Sequence, residues 1–270
     1  MSVDLSQKAT NIEASEIDDQ YGLLKILALW VTAALPMALI TWVIMPFLIP
    51  RVDVNPGLIR LPLIVLGLMW QGVASYIILR QEVVPFTWEN LKKRLWLNHP
   101  IHPKTNIPSK KLYLWALLGA VLLVVWDQLG LFGGLNEHWV ATFPLFSQPE
   151  YAMLERLPEV AFGQWWLLAL LLPWTLFNYV LGEELLFRGV LLPKMKGVFG
   201  KWDWIANGIL FSAYHLHQPW EIPSQIILRD WIFPGYNKLF KSFWMSCIVH
   251  GAINAIVLYV IVTLMILGKL

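Results

Sequence analysis

Three short clusters place ionisable or amide side chains inside stretches that are otherwise apolar. Gly182-Glu183-Glu184-Leu185-Leu186-Phe187-Arg188 runs straight on from an apolar segment, and Phe211-Ser212-Ala213-Tyr214-His215 closes another. His250-Gly251-Ala252-Ile253-Asn254 has apolar residues on both sides. Carboxylate and imidazole can take a proton from water, and amide or imidazole donors can meet a developing negative charge. An ionisable group at the centre of a membrane helix costs about 2.5–3.5 kcal/mol on the insertion scale, so such groups point first to function.

Helix geometry sorts these residues. Positions three or four apart share a face, whereas neighbours point about 100° apart. Glu184 and Arg188 are four apart and can pair along one helix. Glu183 cannot share that partner well, so the two glutamates divide into a supported carboxylate and a free one. His250 and Asn254 also share a face, and Gly251 and Ala252 beside them allow another helix to approach closely. His215 lies one turn beyond Phe211. Glu183, His215, His250 and Asn254 are therefore the candidate catalytic set, with Glu184, Arg188 and Phe211 as support. Each feature has a plainer explanation. Glu184 with Arg188 reads as a structural salt bridge, and a lone intramembrane histidine is often only an interhelical contact. Three clusters within one third of the chain outweigh these explanations.

The elements that must position these residues are membrane helices. Hydrophobic residues make up 57% of the 270 and charged residues 14%, with a mean hydropathy of +0.58. A soluble domain carries roughly 25% charged residues, so a water-soluble globule is excluded. Apolar runs cover Leu23–Pro50, Leu58–Leu79, Leu112–Phe132, Trp165–Val180 continuing towards Pro193, Trp204–Leu216 and Phe243–Leu267. The expected fold is an all-α, polytopic membrane bundle of about six spans, with an additional re-entrant or amphipathic helix as an option. Pro36 and Pro46 predict a kinked first span.

The loops between these runs differ in charge. Lys92, Lys93, Arg94, Lys104, Lys110 and Lys111 follow the second run, and Lys194, Lys196 and Lys201 follow the fourth. Between the third and fourth runs, Glu137, Glu150, Glu155 and Glu159 face only Arg156. The positive-inside rule makes the basic loops cytoplasmic. With six spans, both termini are then cytoplasmic, in a multi-pass protein read as residing in a prokaryotic plasma membrane. The segment Thr87–Leu97 reads as a short amphipathic helix on the inner leaflet. The organisation is a polar tail over residues 1–22, amino-terminal spans with a basic loop over 23–150, and the catalytic membrane core over 151–270. A net charge of +2 without a polybasic tract argues against nucleic acid as a partner. The partners expected are the bilayer and a membrane-associated protein or peptide, and oligomeric state is not legible.

Glu183-Glu184-x-x-x-Arg188, Phe211-x-x-x-His215 and His250-x-x-x-Asn254, in this order on successive apolar segments, resemble the signature of the CAAX-protease and bacteriocin-processing family of intramembrane proteases. That family includes the Ras-converting CAAX endopeptidase and the Abi proteins. The resemblance covers roughly residues 165 to 260. It implies a helical membrane core with a cavity open to the cytoplasm or to lipid. Glu183 and His215 would activate a water for attack on a peptide carbonyl of a membrane-associated substrate, a class that includes prenylated CAAX-type proteins. His250 and Asn254 would hold the water or the oxyanion, and Glu184 with Arg188 would brace the site. The cofactor is left open: zinc on Glu183, His215 and His250 would make a His₂Glu set, but it would leave no clear separate base. Metal-free activation by the carboxylate is preferred.

One departure from the family pattern lies between His215 and His250, where an apolar helix is usual. Here Pro219, Pro223 and Pro234 interrupt a stretch carrying Glu221, Arg229 and Asp230, which suits a re-entrant or interfacial segment. Two other functions compete with proteolysis. One is a non-catalytic scaffold or immunity-type protein that keeps the polar network for packing. The other is a transporter using the carboxylate as a proton relay, against which the lack of an internal repeat argues.

Overall fold

Apolar runs with few charges satisfy their backbone in a bilayer by helical hydrogen bonds, and the described residues fold accordingly. The computed structural model describes residues 20–153, 156–227 and 229–270. Most of the expected polar tail, residues 1–19, and Glu155 lie outside the described residues. The fold is all-α, with no β-sheet among the described residues. Among the described residues, five helices are long and apolar enough to cross a membrane: α1 (Leu23–Arg51), α2 (Pro56–Glu82), α4 (Lys110–Leu129), α6 (Trp166–Lys194) and α9 (Phe243–Ile266). Shorter helices are α3 (Trp88–Leu95), α5 (Gly133–Thr142), α7 (Asp203–Tyr214) and α8 (Ile232–Phe240).

Local sequence explains the helix ends and irregularities. Asn55 caps α2 by accepting from the Gly57 N–H at 2.9 Å. In α1, Pro36 cannot donate to the helical ladder, and a wide π turn follows at Ile40–Ile44. The amphipathic helix expected over Thr87–Leu97 is α3, with Thr87 as its cap. It is docked rather than floating. Arg94 donates to the Gly189 and Val190 carbonyls at 3.0 and 2.9 Å and pairs with Glu82 at 3.0 Å.

The span expected over Trp204–Leu216 differs from the structure. Its helix, α7, has 12 residues, about 18 Å at 1.5 Å per residue and too short for the roughly 30 Å hydrocarbon core. Chain and prolines then turn back through Ile222–Ile226 into α8. Asp203 at the start of α7 forms an ion pair with Lys238 near the end of α8. The α7–α8 pair is therefore a hairpin that begins and ends at one end of the bundle, which is the re-entrant alternative.

This hairpin bears on where residues 21 and 266 lie. The Tyr21 N–H donates to the Lys194 carbonyl at 2.9 Å, and the Gly163 N–H to the Ile266 carbonyl at 3.0 Å. Residues 21 and 266 thus sit at opposite ends of α6. Six crossings would have placed them at one end; with one expected crossing a hairpin, five long apolar helices remain among the described residues.

Candidate active site

The site forms where α6 breaks from regular α geometry. Phe177–Leu181 and Leu185–Leu191 are π-helical turns, flanking Gly182. Gly182 has φ −106° and ψ −93°, and its N–H reaches back to the Phe177 carbonyl at 2.8 Å. A Cβ on residue 182 would lie 2.3 Å from the Phe177 carbonyl oxygen and 2.7 Å from that of Leu68. Only glycine lets α6 approach α2 this closely while turning Glu183 and Glu184 inward.

The two glutamates take different partners. Tyr214 Oη donates to Glu183 Oε1 at 2.7 Å and itself receives Gln71 Nε2 at 3.0 Å. The Asn178 amide, with its NH₂ towards the carboxylate, donates to Glu183 Oε2 at 2.9 Å and Oε1 at 3.2 Å. Glu183 is thus held by two donors rather than standing free. Glu184 Oε1 lies 3.2 Å from Arg188 Nη1 and 2.9 Å from His250 Nδ1. Glu184 and Arg188 are fully buried. The guanidinium stacks over Phe211 at 3.9 Å from the ring centroid, a cation–π contact that suits a desolvated cation.

The same aromatic ring orients both histidines. His215 and His250 meet Phe211 edge to face at 5.0 and 5.8 Å between centroids. His215 Nδ1 is 2.9 Å from the Phe211 carbonyl, so Nδ1 carries the hydrogen and Nε2 keeps its lone pair. With the hydrogen of His250 on Nδ1 towards Glu184, its Nε2 is likewise available. Asn254 Nδ2 gives one hydrogen to the His250 carbonyl at 2.7 Å, leaving its second hydrogen and its oxygen. Glu183, His215, His250 and Asn254 all line one cavity of about 650 Å³. From there the cavity extends along α2, α6 and α9, past Leu167 and Val262, towards the end of the bundle where Gly163 meets Ile266.

Several site residues escaped the sequence reading. Tyr214 stood in the second cluster but was given no role. Asn178 precedes Glu183 by five residues, which a 3.6-residue turn places on another face and a π turn aligns. Asp230 is fully buried, accepts from Ser212 Oγ at 2.9 Å and pairs with Arg229 at 3.1 Å. His217, two residues after His215, is 5% exposed and lines the same cavity. The helix ends at Tyr214, so helical periodicity no longer applies to it. The polar character of these residues in apolar surroundings was the available signal.

A zinc ion on Glu183, His215 and His250 would need their donor atoms to converge. Among the described residues, no group of three His, Cys, Asp or Glu side chains is placed to hold a metal ion. The Nδ1 contacts of His215 and His250 leave each Nε2 free, so it is the spacing of the donors, not their other partners, that fails to make a three-ligand set. The three-ligand set does not fit, and no step through a metal follows from it.

Comparison with known proteins supports a family assignment for part of the chain. Residues 164–256 match the family described as type II CAAX prenyl endopeptidase Rce1-like. No curated protein and no solved structure matches the chain. The region from α6 to the middle of α9 is thus an Rce1-like CAAX endopeptidase domain, covering about a third of the 270 residues.

Proposed function

From that domain and its cavity, we propose that the protein is an intramembrane endopeptidase acting on membrane-associated proteins or peptides, a class that includes prenylated CAAX-type carboxyl termini. The observation that carries this reading is the arrangement of Glu183, His215, His250 and Asn254 on one apolar-walled cavity. A water between Glu183 and His215 Nε2 attacks the peptide carbonyl carbon while the carboxylate takes its proton. The carbonyl electron pair moves to oxygen, where the free Asn254 hydrogen stabilises the charge, while His250 Nε2, a lone-pair acceptor, helps hold the attacking water. The tetrahedral intermediate collapses, the C–N bond breaks, and the proton held by Glu183 passes to the leaving nitrogen. Glu184 and Arg188 hold His250 from behind.

The bundle resides in a plasma membrane with its basic end, carrying α3 and Lys194, in the cytoplasm. The polar network also suits a scaffold, since Glu184, Arg188 and Phe211 are buried by the protein's own packing. Substitution Glu183→Gln separates the two functions. In proteoliposomes with a mixed library of apolar peptides, mass spectrometry should find products from the parent and none from the variant. Equal product formation by both, or none by the parent, overturns the enzymatic reading.

A further inference from the structure

The cavity holds a cation that the proposed reaction does not use. Arg60, on the second turn of α2, is 7% exposed and lines the same cavity as Glu183. Its Nε has no hydrogen-bond partner, and the guanidinium makes no ion pair with the described residues. The other buried arginine among the described residues, Arg188, is paired with Glu184, and the partly buried Arg94 with Glu82. A second buried polar atom without a partner, Nδ1 of His217, lies on the same wall. A charge buried without a partner lowers stability, so its retention needs a ligand to complete it.

The position of Arg60 relative to the scissile bond follows from the helices. Gly182, beside Glu183, packs against the Leu68 carbonyl. Arg60 is two turns of α2 away from Leu68, about 12 Å along the axis. An extended peptide advances about 3.3 Å per residue, so about three or four residues fit between the two points. The cavity between them is walled by Leu61, Ile64 and Leu68 on α2 and by Leu167 and Leu171 on α6.

Resting on the endopeptidase reading, we infer that Arg60 is a carboxylate-binding residue for the substrate, receiving an anionic group three or four residues from the bond that is cut. The apolar wall takes the intervening side chains. Glu221 is the acid closest in influence, but it forms no ion pair with Arg60. Burial pushes the Glu221 carboxyl above the ordinary carboxylate range, an effect partly opposed by Arg229. Glu221 therefore competes weakly for the guanidinium. The substrate's carboxylate has two sources, its chain terminus or an acidic side chain.

The test uses the whole protein in nanodiscs, in the Glu183→Gln background so that binding is read without cleavage. The probes are dansylated apolar peptides in three forms: free carboxyl terminus, terminal amide, and terminal amide with one Asp in the last four residues. Charge-assisted hydrogen bonds predict that the free acid binds about 10- to 100-fold more tightly than the amide. Equal gain from the Asp peptide assigns the side-chain source, and gain from the free acid alone assigns the terminus. Adding Arg60→Met should abolish the difference, and Arg60→Lys should keep part of it. The Met variant should also melt at or above its parent, because an unpaired buried charge has been removed. An unchanged acid preference in Arg60→Met, or a lowered melting temperature, overturns the proposal. So does native mass spectrometry showing a phospholipid released by Arg60→Met, since the cation would then be a lipid phosphate site. In the cleaving parent, absence of products would instead refute the endopeptidase reading and leave these binding outcomes to decide Arg60.

Discussion

Glu183 and Glu184 are adjacent, chemically identical and both buried, yet they should fail in opposite ways when neutralised. Arg188 is 0% exposed, and Glu184 is the carboxylate paired with it, at 3.2 Å. Glu184→Gln strands the guanidinium over the Phe211 ring and takes the acceptor charge away from His250. Breaking a buried ion pair by removing one partner costs about 3–5 kcal/mol, a large fraction of the stability of an ordinary domain. Replacing both partners, as in Glu184→Gln with Arg188→Met, should recover much of that loss, because no charge is then left unpaired. Glu183→Gln has a milder structural effect. The new amide oxygen can still accept from Tyr214, and Asn178 can turn its own oxygen to the new NH₂, so the cost should be about 1 kcal/mol or less. Unfolding in mixed micelles with increasing sodium dodecyl sulfate, followed by tryptophan fluorescence, measures both. Peptide cleavage should vanish in Glu183→Gln while the fold persists, and the fold should weaken first in Glu184→Gln. Equal destabilisation by the two variants, or a Glu184→Gln protein within about 1 kcal/mol of the parent, refutes the division of roles.

Other substitutions probe the frame around these residues. Gly182→Ala places a methyl against two backbone carbonyls that cannot give way cheaply; it should cost about 1–3 kcal/mol and reduce kcat by roughly 100-fold through displacement of Glu183, seen by unfolding and single-turnover assays. Tyr214→Phe removes the hydrogen bond to Glu183 Oε1 without changing shape, and kcat should fall roughly 10- to 100-fold with little change in KM. The topology is testable by thiol labelling, because the only cysteine, Cys247, is buried. In oriented vesicles, Lys104→Cys and Lys269→Cys should react with impermeant maleimide from opposite sides, and labelling from the same side would restore a sixth crossing.

How much of this was legible depended on whether regular helical geometry held. The membrane bundle followed from composition, and the Glu184–Arg188 pair from simple i,i+4 spacing. The separation of the two glutamates was legible for the same reason. The partners of Glu183 were not. Asn178 reaches it only because α6 carries a π turn, which nothing in Phe-Asn-Tyr-Val-Leu announces, and Tyr214 reaches it across two helices. The expected count of about six spans exceeds the five long apolar helices among the described residues for a geometric reason. Trp204–Leu216 is apolar enough to cross but too short, and hydropathy alone does not register that the chain turns back through Pro219 and Pro223. His217 reaches the cavity because the helix ends at Tyr214, so its direction from His215 does not follow helical rules.

The irregular backbone and the chemistry of the site are linked by a single constraint. A regular α-helix through residues 177–191 would point Asn178 and Glu183 to different faces and leave Glu183 without its amide donor. Widening each turn by one residue aligns them, but frees carbonyls at the wide turn Leu185–Leu191. Arg94 meets two of these, Gly189 and Val190, from outside the span. The docking of α3 therefore bears on the site about two turns away, although no residue of α3 lines the cavity. Arg94→Ala should lower both unfolding resistance and kcat. Replacing the neighbouring Lys93, whose charge has no such partners to hold, should change neither. If Arg94→Ala weakened the fold but left kcat intact, the wide turns would be a packing feature of α6 and not a device for aiming Glu183.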